Sequence, residues 1–174
     1  MERSHQRGFT LFELMVSIMI LALLVGLAVP TFRTITANSR TSAATNNLAS
    51  ALAVARSEAL RQSTTVSICP SGNQQTCDVS VTPDWTNGWI AFTDANADGS
   101  LGAGDTLIQA WPSAGPTMTV SSAATFLQYN PRGMMNLGGS KTLTIAASGC
   151  KGNHKSQIVV TVVGSVQQSY VACP

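Results

Sequence analysis

The chain has 174 residues, a formal net charge of +2, and only 10% charged residues against 44% apolar ones. This length is enough for one soluble domain beyond an anchor. With so few charges, solubility rests on Ser, Thr, Asn, Gln and Gly, a polar-neutral style that fits a cell-surface or periplasmic protein.

The chain opens on a short basic leader, residues 1–8, with Arg3 and Arg7. From Phe9 to Val29 run 21 residues with a single formal charge, Glu13. A helix of that length spans a bilayer. A carboxylate inside such a segment is costly unless protonated or paired, and marks a functional position. A secretory signal would have a shorter apolar core and a small-residue cleavage site, which Val29-Pro30-Thr31 does not provide. A plain single-span anchor accounts neither for Glu13 nor for the string Gly8-Phe9-Thr10-Leu11-Phe12-Glu13.

That string resembles the prepilin motif of the type IV pilin family, which includes the pseudopilins of type II secretion. The resemblance implies cleavage between Gly8 and Phe9 by a prepilin peptidase and N-methylation of Phe9. It implies an inner-membrane, single-pass precursor with a periplasmic domain, later built into a pilus or pseudopilus. It also implies that Glu13 pairs with the N-terminal amine of a neighbouring subunit. The physical requirements agree. Gly8 leaves the backbone accessible, and the leader arginines favour the cytoplasmic side.

Pro30 is expected to kink the helix rather than end it. Phe32, Ile35, Leu48, Leu52, Ala55, Ala59 and Leu60 recur near helical spacing, so the helix continues over residues 30–61. From residue 62 the period changes. Residues 64–69 read as the first strand, and Asn87-Gly88 as a hairpin turn before a strand over 89–93. Further strands are expected at 106–111, 117–120, 125–129, 141–146, 157–163 and 167–173. The fold class is therefore α+β. A long N-terminal helix, transmembrane in its first half, packs on an antiparallel β-sheet or β-sandwich domain at 62–174. Two strings, Gly88-Trp89-Ile90-Ala91-Phe92-Thr93-Asp94 and Phe126-Leu127-Gln128-Tyr129-Asn130-Pro131-Arg132-Gly133, are similar to the GspH/FimT branch of the family.

Cys69, Cys77, Cys150 and Cys173 allow three disulfide connectivities, of which sequence proximity favours 69–77 and 150–173. Zinc is disfavoured, because there is no CxxC pair and no His lies near two cysteines.

Charge is segregated along the chain. Residues 33–61 sum to +3, residues 62–131 to −5 with no Lys or Arg, and residues 132–174 to +4 with no acid. Two candidate sites follow. Asp94, Asn96, Asp98 and Asp105, with Gly99 at the sixth position, have the spacing of a calcium loop. The last acid is short for bidentate reach, and the same residues suit a β-turn. Lys151, His154 and Lys155, with Arg132 and Lys141 placed near them, form a basic tail suited to phosphates. Some minor pilins of this branch bind double-stranded DNA during uptake, and the resemblance implies DNA as a partner here. Their Gly-Arg-x-Arg motif is missing, and Gly152-Asn153-His154-Lys155 stands in a comparable place. No enzyme is expected, since no nucleophile motif surrounds a Ser or Cys. No cofactor beyond calcium is suggested. Trp85, Trp89 and Trp111 read as core aromatics. The expected partners are the peptidase, other pilin subunits and inner-membrane lipid.

Overall fold

A computed structural model describes residues 9–78, 84–136 and 138–173; the side chains of residues 27–31 also lie outside the description. The leader and Gly8 fall outside it too. The chain divides into two units, Met1–Thr36 and Ala37–Pro174. One helix, α1, spans Leu11–Gln62, so Pro30 does not end it.

In the first unit the described helix is apolar all round and exposed, with Leu11 at 77%, Phe12 at 76% and Leu23 at 67%. Among the described residues no helix is long and apolar enough to cross a membrane. The run read from the sequence, 9–29, extends into side chains outside the description. Phe32 and Ile35, expected on a packed face, are exposed.

In the second unit α1 buries Ala44, Leu48, Ala51, Leu52, Ala55 and Ala59. Their spacing of three and four residues forms one stripe. The alanines favour helix and leave room for close packing. Leu60, read from sequence as part of this face, is half-exposed. Thr41 and Thr45 are buried, but their hydroxyls donate back to the carbonyls of Ala37 and Thr41. Ser63 adopts a left-handed conformation (φ 51°) just past the helix end.

Eight strands follow: β1 (Val66–Pro70), β2 (Trp89–Thr93), β3 (Leu107–Trp111), β4 (Met118–Ser122), β5 (Leu127–Tyr129), β6 (Lys141–Ala147), β7 (Lys155–Val160) and β8 (Val166–Val171). They form two four-stranded antiparallel sheets: sheet A, ordered β3-β2-β1-β5, and sheet B, ordered β4-β6-β7-β8. One core unites the helical stripe with Ile68, Trp85, Trp89 and Leu127 on the sheet A side and Leu143, Ile145 and Ile158 from sheet B. A smaller cluster of Cys69, Ile90 and Phe92 covers the other face of sheet A, with Phe126 and Leu101 packed on it. Strand β1 is therefore buried throughout. In sheet B, β4, β6 and β7 keep an alternation, with Leu143, Ile145 and Ala147 of β6 inside and Thr142, Thr144 and Ala146 outside.

The Asn87-Gly88 pair does not make a hairpin turn. Asp84 caps a short 3-10 helix, Trp85–Asn87, by accepting from the Thr86 amide. Gly88 then leads into β2 at φ 113°, and a Cβ there would sit 2.6 Å from the Trp111 carbonyl oxygen. All three tryptophans are buried, as core aromatics should be.

Candidate functional site

Three regions bear on function. The first is the N-terminal end of α1. Phe9 is 85% exposed. The Thr10 amide and hydroxyl both donate to Glu13 Oε2 at 3.0 Å, and the Glu13 amide donates to Thr10 Oγ1 at 3.2 Å. Thr10-Leu11-Phe12-Glu13 is thus a reciprocal capping box. A threonine three residues before a glutamate, ahead of an apolar run, was a readable signal of it. Glu13 is not the isolated carboxylate that its apolar neighbours suggested: one oxygen has donors from its own chain. Among the described residues Oε1 has none.

The second region is the loop after β2. Asp94 is fully buried, and its Oδ2 accepts from Ser67 Oγ at 2.6 Å, Gln128 Nε2 at 2.9 Å and the Gly99 amide at 3.0 Å. Oδ1 accepts from the Asp98 amide. Gln128 Oε1 accepts in turn from Asn136 Nδ2 at 2.6 Å. Asp98 accepts from the Ser100 amide and Asn96 Nδ2, and Asp105 from the Gly102 and Ala95 amides. The four residues read as calcium ligands therefore bond the loop's own backbone and side chains. Among the described residues no three His, Cys, Asp or Glu side chains come together to hold a metal. This is turn chemistry. Gly99 (φ 77°) is required here, because a Cβ would run into the Phe126 ring at 2.5 Å. Sequence reading missed the roles of Ser67, which no motif marks, and of Gln128, which stands in the 126–133 string without a chemical signature.

The third region is the basic end. Disulfides join Cys69 to Cys77 and Cys150 to Cys173, the pairing that sequence proximity favours. The second ties the β6–β7 loop to the C-terminal segment, where the Cys173 amide also donates to the Gly152 carbonyl. Lys151 and His154 are exposed on this loop, and Lys155 begins β7 on the outward face. A shallow groove of about 440 Å³ beside it is lined by Thr119, Ser121, Thr144, Cys150 and Lys155.

The five residues read as one basic patch do not form one. Lys141 pairs with Val160 and Ile145 with Ser156, which sets Lys155 against Ala146. At roughly 3.3 Å per residue, Lys141 and Lys155 stand about 17 Å apart along the ladder. Arg132 lies at the Lys141 end. Its turn packs on the β7–β8 turn, where the Met135 amide donates to Val162. Arg56 from α1 clasps both turns, donating from Nε to the Gly133 carbonyl and from Nη2 to the Val163 carbonyl, each at 3.0 Å.

Comparison with known proteins accords with these features. A family model described as "Type II transport protein GspH" matches residues 44–165, and one described as "Prokaryotic N-terminal methylation motif" matches residues 3–29. No curated protein sequence matches the chain. The fold is similar to two crystal structures of the type IV minor pilin FimU of Pseudomonas aeruginosa, both at 20% identity. One, in space group P21, has a TM-score of 0.58 over 80% of this chain and 92% of that one. The other, in P65, has 0.55 over 74% and 91%. The methylation motif implies processing by a prepilin peptidase and assembly with other pilin subunits. With seven-tenths of its length matched by one family model, the chain belongs to the GspH family, the minor pilins and pseudopilins of type IV pili and type II secretion.

Proposed function

We propose that this protein is a minor pilin precursor of a type IV pilus. It is cleaved between Gly8 and Phe9, methylated at Phe9 and held in the inner membrane by residues 9–29. It acts by assembly and not by catalysis. N-terminal helices pack against one another in the filament, and Glu13 Oε1 meets the Phe9 amine of a neighbour. The supporting observation is a helix exposed and apolar on every side, headed by a carboxylate with one oxygen still open. Such a surface needs lipid or other helices around it. Glu13→Ala should leave cleavage intact and abolish entry into sheared pili; normal entry would remove the pairing role. Thr10→Val, which opens the capping box but keeps the carboxylate, should weaken entry less.

The matched family's description favours a second reading, a minor pseudopilin of type II secretion. Deleting the gene would then stop exoprotein release and leave piliation unchanged. DNA capture is a further task compatible with the first reading. It is supported by Lys151, His154 and Lys155 on a disulfide-closed loop that has no acid among its described neighbours in sequence.

A further inference from the structure

The two sheets present four edges, and they are not protected equally. The outer edge of β5 is covered by residues 134–136: the Asn136 amide donates to Gln128 and Tyr129 bridges to Met135. The β4 edge is covered at Val120, whose amide donates to Thr86 Oγ1. Strand β3 carries a bulge, since Phe92 pairs with Leu107 and Ala91 with Gln109, leaving Ile108 over. Strand β8 has no such device. Its register with β7 is regular from Val166 to Val171, it contains no Lys, Arg, Asp, Glu or Pro, and Tyr170 is 55% exposed. Among the described residues nothing pairs with its outer side. An unguarded edge of this kind is a template for another strand, and soluble proteins normally blunt it.

Charge selects the strand. Both ends of β8 lie in basic surroundings, with Lys151, His154 and Lys155 at the Val171 end and Arg132 and Lys141 at the Val166 end. Two β8 edges would therefore bring cations against cations. The other uncovered edge, β3, belongs to the segment 62–131, which holds five Asp and no Lys or Arg. Asp105 lies two residues before its first residue, Leu107.

We propose that the β8 edge docks the β3 edge of a second copy of this chain, head to tail. The contact is heterologous, so it propagates along an assembly rather than closing a dimer. The bulge at Ile108 limits the ladder to a few rungs. The pairing stays weak between dilute chains and forms where subunits are crowded. Opposite charges orient the encounter and make it sensitive to salt. The proposal does not depend on which machine the chain serves or on entry into a filament.

The test uses full-length chains in detergent micelles. Gln109→Cys and Ser169→Cys variants, both at exposed strand positions, are mixed and treated with a short bismaleimide. Gln75→Cys on an exposed loop reports random encounters within a micelle. A 109–169 adduct at least fivefold above the Gln75 controls, falling severalfold in 0.5 M salt, supports the pairing. Lys151→Glu plus Lys155→Glu should lower it to a similar extent with an unchanged melting profile. A predominant 169–169 adduct, or a 109–169 yield no higher than the control, would overturn it.

Discussion

Sheet A and sheet B use charge in opposite ways. The acids of the sheet A half are mostly internal fittings: Asp94 is buried under three donors to one oxygen, and Asp84, Asp98 and Asp105 cap turns with their own backbone amides. The cations of the sheet B half do no comparable work. An ion pair joins Arg61 to Glu58 on the helix, while Lys151 and Lys155 stand on the outward side of sheet B. The acids of one half therefore double as architecture, whereas the cations of the other are surface alone. A sum of charge along a sequence does not separate these roles; the hydrogen-bond partners do.

If that contrast is sound, the largest loss of stability should come from Asp94→Ala. It leaves Ser67 Oγ, Gln128 Nε2 and the Gly99 amide without their acceptor in a dry site. Each unsatisfied buried group costs about 1–3 kcal/mol, so a loss of about 3–5 kcal/mol is expected in urea unfolding of the detergent-solubilised chain. Asp94→Asn, which keeps an acceptor oxygen, should lose less. A loss under about 1 kcal/mol for the alanine variant would mean that the network is not what holds sheet A.

On the sheet B side the comparable staple is covalent. The Cys150–Cys173 bridge closes a loop of 23 residues. Chain-entropy bookkeeping gives such a loop about 3 kcal/mol. The Cys150→Ser plus Cys173→Ser variant should lose about that much stability and also free the β6–β7 loop. Protection of the Cys173 amide, which donates to the Gly152 carbonyl, should fall first in hydrogen exchange. The double variant at Cys69 and Cys77 should disturb sheet A instead, because Cys69 is buried with Ile90 and Phe92.

Tyr129 sharpens the comparison at the junction of the core. Burial pushes its phenol up to about 12, opposed only partly by the nearby Arg56 guanidinium. The hydroxyl is buried with no hydrogen-bond partner among the described residues. An unfolded tyrosine ionises near pH 10. Below that pH both states are neutral and the shift has no effect. Between about pH 10 and 12 the unfolded chain releases a proton that the folded chain keeps, so stability falls as pH rises, by at most about 2–3 kcal/mol. Tyr129→Phe should match the parent at pH 7, or exceed it slightly, and lose less between pH 10 and 12. An identical alkaline slope in the two proteins would show that Tyr129 is not the group responsible.

Period and punctuation made most of the fold legible. The change from helical to strand spacing near residue 62 lies where α1 ends, and each expected strand is present to within a few residues. The last two are displaced because Thr161, Gly164 and Ser165 form a tight turn, with the Thr161 amide bonded to Ser165, inside what read as one apolar strand. The site was less legible, for a specific reason. Asx and carboxylate oxygens at alternating positions look alike whether they await a cation or backbone amides. The side chains that donate to Asp94, Ser67 and Gln128, stand 27 and 34 positions away on two other strands. The Thr10–Glu13 box is local, and the Thr-x-x-Glu spacing ahead of an apolar run marks it.

The smallest effect on stability, and the clearest on function, is expected at the basic end. Lys151→Ala plus Lys155→Ala removes two outward cations that bond to nothing internal, so the unfolding midpoint should not move. If the loop meets phosphates, gel-shift affinity for double-stranded DNA should fall about tenfold at low salt, with the salt slope reduced by roughly two. Because β6 separates the cations into two ends, Arg132→Ala plus Lys141→Ala should change DNA affinity much less. Equal losses in the two double variants would mean a diffuse attraction by the whole basic half rather than a site on the Cys150 loop. No loss in either would return all four cations to a subunit-facing role, where the unguarded β8 edge already gives them work.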